Sequence, residues 1–175
     1  GPDDRAAHSF GNRRTKRTEI MFGEPGLIYS YQMHTHTLIN VVSAPPDIPN
    51  AILIRAVEPV EGLELMKEFR NDLPMKQWTN GPGKLTKAMG ITMEHYGSHW
   101  TEKPLYIAEG EPVTAVSTGP RIGIENSGTK YREEKIFWIG LGIFVIQDAS
   151  VTHSMENGIT ISLKLTDKMA FLNGE

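Results

Sequence analysis

The feature that most constrains this chain is how short its apolar stretches are. Glycine and proline, 17 and 11 of them, recur along the whole of its 175 residues and keep interrupting the hydrophobic segments. No apolar run approaches the ~20 residues that a membrane-spanning helix needs. Short apolar segments between turn-formers predict strands joined by loops, with few helices. The length fits one domain with a sizeable core. The predicted architecture is therefore α/β of the α+β type: one domain with a curved, mainly antiparallel sheet, a protruding β-hairpin and a few short helices.

The pattern places these elements. Leu27 to Tyr31 and Leu38 to Val42 form a predicted hairpin with His34-Thr35-His36 at its tip. Ala44 to Asn50 carries three prolines and reads as a loop. Ile52 to Val57 is apolar except for Arg55, the pattern of a buried strand. Glu61 to Arg70 places Leu63, Met66 and Phe69 on one helical face, and Gly83 to Met89 is a second short helix opened by Pro82. Pro104 to Ile107, Ile122 to Ile124 and Lys135 to Val145 complete the strand set. Ile159 to Leu165 alternates apolar and polar residues as a half-buried strand does.

Composition narrows the function classes. Hydrophobic residues make up 39% and charged residues 22%, ordinary values for a globular domain. The absence of cysteine rules out disulfides and thiolate metal sites and suits a reducing compartment. A net charge of −3 argues weakly against a nucleic-acid partner, but its distribution argues the other way. Arg5, Arg13, Arg14, Lys16 and Arg17 cluster near the start.

Several linked motifs occur in order. They are Asp4-Arg5-Ala6-Ala7-His8-Ser9, the basic run Arg13 to Arg17, Met21-Phe22, and the turn Pro25-Gly26. Ile52-Leu53-Ile54-Arg55-Ala56-Val57-Glu58-Pro59-Val60-Glu61-Gly62, Asn80-Gly81-Pro82-Gly83-Lys84-Leu85 and Gly119-Pro120-Arg121-Ile122-Gly123-Ile124 follow. Together they resemble the alkyladenine (3-methyladenine) DNA glycosylase family over roughly residues 1 to 140. The resemblance implies an enzyme of base-excision repair that flips an alkylated or deaminated purine out of duplex DNA and hydrolyses its glycosidic bond without metal or organic cofactor. It implies a monomer acting on double-stranded DNA, away from membranes, in a bacterial cytoplasm at the nucleoid or in a nucleus. It also implies that a strand with the general-base glutamate and a pocket tyrosine lies just before Gly1. Gly1-Pro2 fits either a protease scar or the family's Gly-Pro ahead of its histidine. The 175 residues are accordingly expected to be an N-terminally truncated domain, 1–146, with little excision activity by themselves. Residues 147–175 form an unassigned tail whose single strand is either unrelated or a substitute for the missing one.

The resemblance gives roles to particular residues, and each has a plainer competitor. His8 takes the place of a histidine against the flipped base; otherwise it is a loop histidine. Tyr31 matches a pocket tyrosine or is an ordinary strand aromatic. Asn40, flanked by Ile39 and Val41, matches an asparagine that crowds guanine's exocyclic amine, or else satisfies itself on backbone. His34 and His36 occupy the hairpin tip where many relatives carry an intercalating tyrosine, and this hairpin is one residue shorter; a solvated turn is the equal alternative. Arg55 needs a carboxylate or phosphate partner if buried, and the resemblance sets it beside the glutamate and the water. Ile122 matches a backbone carbonyl near that water. Arg13, Arg14, Lys16, Arg17, Lys84 and Arg121 are candidate phosphate contacts, or solvated surface.

Two other function classes compete. One is a non-catalytic module that grips damaged DNA. The other is a metal hydrolase using His34, His36, His95 and His99 with Glu94, although four imidazoles without a thiolate or ligating carboxylate are an uncommon donor set.

Overall fold

In the computed structural model, residues 1–109, 118–121, 124, 135–137, 143–149 and 159–164 are described. The first strand β1, Ile28–Met33, turns through His34 and Thr35 into β2, His36–Val42. The two are antiparallel in continuous register from Ile28↔Val41 to Met33↔His36. β3, Ala51–Leu53, adds to β2 and completes a three-stranded sheet in the order β1-β2-β3.

Both faces of the hairpin are covered, as the residue types on its alternating positions require. Ile28 and Ile39 turn one way into the main core, with Met66, Trp78, Leu85, Ala88, Met89 and Trp100. Tyr29 and Val42 turn the other way, against Met21 and Phe22 of the N-terminal segment. A strand buried on both faces near its base and exposed at its tip is anchored at one end and projects at the other.

Two short helices back the first face. α1, Leu63–Phe69, starts at Gly62 and buries Met66 completely. α2, Pro82–Ala88, starts on a proline whose missing N–H would have had no helical partner. Its Leu85, Ala88 and Met89 form a stripe of spacing three and four facing the core. It ends at Gly90, whose φ of 64° is cheap only for glycine. There the Gly90 N–H reaches the Lys87 carbonyl and the Ile91 N–H the Thr86 carbonyl, the paired bonds of a Schellman cap. Thr86 Oγ1 donates to the Thr37 carbonyl at 2.6 Å and pins α2 to β2.

The second sheet has the order β4-β9-β8-β5, from β4 (Glu58–Pro59), β5 (Leu105–Glu109), β8 (Ile143–Ala149) and β9 (Ile159–Lys164). β6, Thr118–Pro120, and β7, Lys135–Phe137, form a separate antiparallel pair. No helix among the described residues is long and apolar enough to cross a membrane.

Two expectations need correction. Ile52 to Val57 is not a buried strand: only Ala51–Leu53 pairs, and Ile52 and Leu53 remain 58% and 37% exposed. Among the described residues β3 is a sheet edge. The chain then leaves the ladder at Ile54, whose N–H still reaches the Ile39 carbonyl. Lys135 to Val145 contains parts of two strands, β7 and β8, that belong to different sheets. β9 fulfils the expected strand near Ile159, yet it lies between β4 and β8 and does not complete the β3 edge. The strand expected at Ile122 to Ile124 lies outside the described residues except for Ile124, which is not in a strand.

Candidate functional site

The N-terminal segment holds a histidine against the projecting hairpin. Asp4 Oδ1 accepts from the Ala6 N–H, and Ser9, fully buried, donates to the Pro49 carbonyl at 2.9 Å. Arg13 donates to the carbonyl of His8 from two of its nitrogens. Clamped on both sides, the His8 ring meets Tyr29 and Tyr31, which the two-residue period of β1 sets on one face. Its centroid lies 4.6 Å from that of Tyr31 and 6.1 Å from that of Tyr29, edge-on to both. The two tyrosine rings are 5.6 Å apart. Tyr29 was not singled out in the sequence; its spacing from Tyr31 was the available signal.

The hydrogen bonds fix the state of the imidazole. His8 Nδ1 is 2.7 Å from the Tyr29 hydroxyl, and Nε2 is 3.2 Å from an Arg17 guanidinium nitrogen. A guanidinium only donates, so Nε2 accepts, and the neutral ring carries its proton on Nδ1. Burial lowers the His8 pKa below the ordinary histidine value, and the charges of Arg17 and Arg13 lower it further. Burial likewise pushes the Tyr29 hydroxyl up to about 12 and raises that of Tyr31, so both phenols stay protonated.

A pH dependence follows. His8 binds its proton less readily folded than unfolded. Its contribution to stability is therefore intact above the unfolded value of about 6.5 and is lost as pH falls through that range toward the folded value. Denaturant unfolding between pH 7.5 and 5 should show a loss that His8→Gln flattens. A stability gain on acidification that depends on His8 would contradict this assignment.

Asn40 is buried opposite Tyr29, and its Nδ2 donates to the Tyr29 carbonyl at 3.0 Å. The backbone partner envisaged for it is thus present, and it shares the Tyr29 face by register. Met33 follows Tyr29 and Tyr31 on that face and is 48% exposed at the last pair before the turn. It is an apolar tip residue that attention to the histidines passed over. His34 sits in the turn with a φ of 54°. His36 is exposed but leans on Gly83, where an added Cβ would meet the ring carbon Cγ at 2.7 Å.

Arg55 is half-buried, burial alone lowers its pKa, and its Nε has no hydrogen-bond partner among the described residues. The other cations divide into two groups. Arg14 pairs with Glu19 at 2.7 Å and Asp47 at 3.2 Å and lies over the Phe22 ring. Arg121 pairs with Asp4 at 2.8 Å, and Lys84 donates to Asn80 at 2.8 Å. The Arg14 pairs are exposed enough for an arriving phosphate to compete with them, whereas the Arg121–Asp4 and Lys84–Asn80 contacts are partly buried. Arg13 and Arg17 instead face His8, while Lys16 is exposed. Ile122 lies outside the described residues.

Among the described residues no three histidine, aspartate or glutamate side chains gather as a metal would require. His95 caps its own turn at Thr92, and His99 bonds Thr101 and the Pro25 carbonyl.

Comparison with known proteins adds a second line of observation. The family model described as Methylpurine-DNA glycosylase (MPG) matches residues 1–139. A Bacillus subtilis (strain 168) protein named "Putative 3-methyladenine DNA glycosylase" is 61% identical over 139 residues, covering 79% of this chain and 71% of its own length. A Bacillus licheniformis protein of the same name is 60% identical over 139 residues, with the same coverage of 79% and 71%. One from Oceanobacillus iheyensis is 49% identical over 145 residues, covering 83% of this chain and 73% of itself.

Proposed function

Because this chain belongs to the methylpurine-DNA glycosylase family, we propose that it receives a flipped, alkylated or deaminated purine in the corner formed by His8, Tyr29 and Tyr31, for hydrolytic removal from duplex DNA. The observation that supports this reading best is the corner itself: three aromatic rings, uncharged at neutral pH, at the root of a projecting hairpin. A cationic alkylpurine gains stacking and cation–π attraction there that a normal neutral base does not gain in full. Asn40 shares the Tyr29 face and adds an amide that crowds guanine's exocyclic amine. Met33 and His34, at the hairpin tip, fill the gap left in the stack. Arg13, Lys16 and the exposed Arg14 meet phosphates, and the partly buried Lys84 and Arg121 do so at the rim.

The chemical step is a monofunctional hydrolysis. A carboxylate, which the family carries on a segment ahead of residue 1, takes a proton from water. The water oxygen bonds to the sugar anomeric carbon as the bond from that carbon to the purine nitrogen breaks. The electron pair stays on the ring and cancels the positive charge of the alkylated base, so little acid assistance is needed. Arg55 and the Ile122 carbonyl hold the water. The protein works as a monomer in a bacterial cytoplasm, at the nucleoid when bound.

Tyr31→Ala is the direct test. Stacking on one aromatic ring contributes ~1–3 kcal/mol per base, so affinity for a duplex carrying 1,N6-ethenoadenine should fall about 5- to 150-fold, with undamaged duplex little affected. Equal losses on both duplexes would refute the base-site assignment. Lesion binding by the complete protein without any excision would favour a non-catalytic damage reader.

A further inference from the structure

We propose that Arg17 is a resident gate of this aromatic corner: a cation of the protein's own that occupies the Tyr31 face until a base takes its place. The proposal rests on reading the corner as a base site and goes beyond it, because Arg17 was expected only to touch phosphate.

The guanidinium carbon lies 4.8 Å from the centre of the Tyr31 ring, over its face. One of its nitrogens donates to His8 Nε2 at 3.2 Å. The same group also approaches the hydroxyl of Tyr29, whose pKa it opposes raising. One planar cation thus contacts all three rings that a planar cationic base would contact. It does so while the side chain remains exposed, with no carboxylate partner among the described residues and with Arg13 and Lys16 nearby.

The geometry gives the gate a direction. A flat guanidinium on an aromatic face and a flat alkylpurinium on the same face exclude each other. Arg17 remains tethered beside the site when displaced, so its charge also opposes a free cationic ligand. A duplex offers what a free base does not, a phosphate to receive the displaced guanidinium by paired hydrogen bonds. Entry of the base and capture of the backbone are then coupled through one side chain.

The test uses the chain with 1-methyladenosine, a cationic purine nucleoside, and adenosine, its neutral parent, titrated by NMR. Arg17→Gln should bind 1-methyladenosine about three- to tenfold more tightly than the unmodified chain, with a smaller gain for adenosine. Arg17→Lys, which keeps charge but not the plane, should fall between. The His8 pKa should rise in Arg17→Gln, which verifies that the contact existed and that the corner is still folded. If Arg17→Gln shows that rise yet binds 1-methyladenosine no better, the gate is refuted while the base site stands. If neither protein binds either nucleoside at millimolar concentration, the base-site reading falls and the gate with it.

Discussion

Trp100→Ala should unfold this protein more readily than any surface change, with a loss of about 3–5 kcal/mol in chemical denaturation. For a domain of this size that corresponds to a fall in Tm of roughly 6–20 °C. Trp100 is 2% exposed and sits where the first sheet meets the second. Its side chain packs in the main core, and its Nε1 donates to the Asn40 carbonyl of β2 at 3.2 Å. Its backbone N–H bonds Gly26 beside β1, and its carbonyl accepts from Ile107 of β5. Truncation removes one of the two indole rings of that core and leaves the backbone bonds with no side chain to hold them together. Trp100→Phe should cost about 1–2 kcal/mol, chiefly the indole bond and part of the ring volume. Equal losses for both variants would show that the indole bond, and not volume, dominates.

Arg55→Met should separate stability from activity. The arginine is half-buried, its Nε is unsatisfied among the described residues, and burial is the cause of its lowered pKa. A methionine of similar length removes that desolvated group. Thermal stability of the chain should hold or rise, by about 1 kcal/mol. In the complete protein, excision of a lesion under single-turnover conditions should nevertheless fall by about 10²–10³-fold, the scale for removing one preorganised polar group from a reaction centre. A chain that is destabilised by Arg55→Met would mean that the guanidinium is a structural element. Unchanged excision by the variant would remove Arg55 from the proposed mechanism. A residue kept at a cost to the fold is the pattern expected where function sets the side chain.

What was legible in the sequence follows from how locally each feature is determined. The hairpin could be read because alternation and the polar tip lie within one short stretch, and α2 because a proline marks its start. The β3 segment could not be read correctly. An apolar run records what side chains prefer, whereas burial depends on which strand lies alongside, and β3 pairs on one side only among the described residues. The basic run shows the same limit. Nothing in Arg13 to Arg17 distinguishes the arginine that pairs with Glu19 and Asp47 from the one that folds back over Tyr31. Those partners come from the folded loop, and Asp4 meets Arg121 across more than a hundred residues of chain. Tyr29 was legible in principle, since its distance from Tyr31 is one strand period.

The hairpin has a mechanical meaning as well. It is paired to its last rung, Met33↔His36, and its root is clamped between Ile28 and Ile39 on one side and Tyr29 and Val42 on the other. Such a beam is a cantilever propped on one side: α2 braces β2 at Thr37 and His36, and load on the tip is carried to the core without a joint where it could bend. Its reach is set by the number of rungs, and the direction in which its tip points is set by their parity. One residue added within β1 would bulge the ladder or slip its register and turn Met33 to the opposite side, away from the aromatic corner.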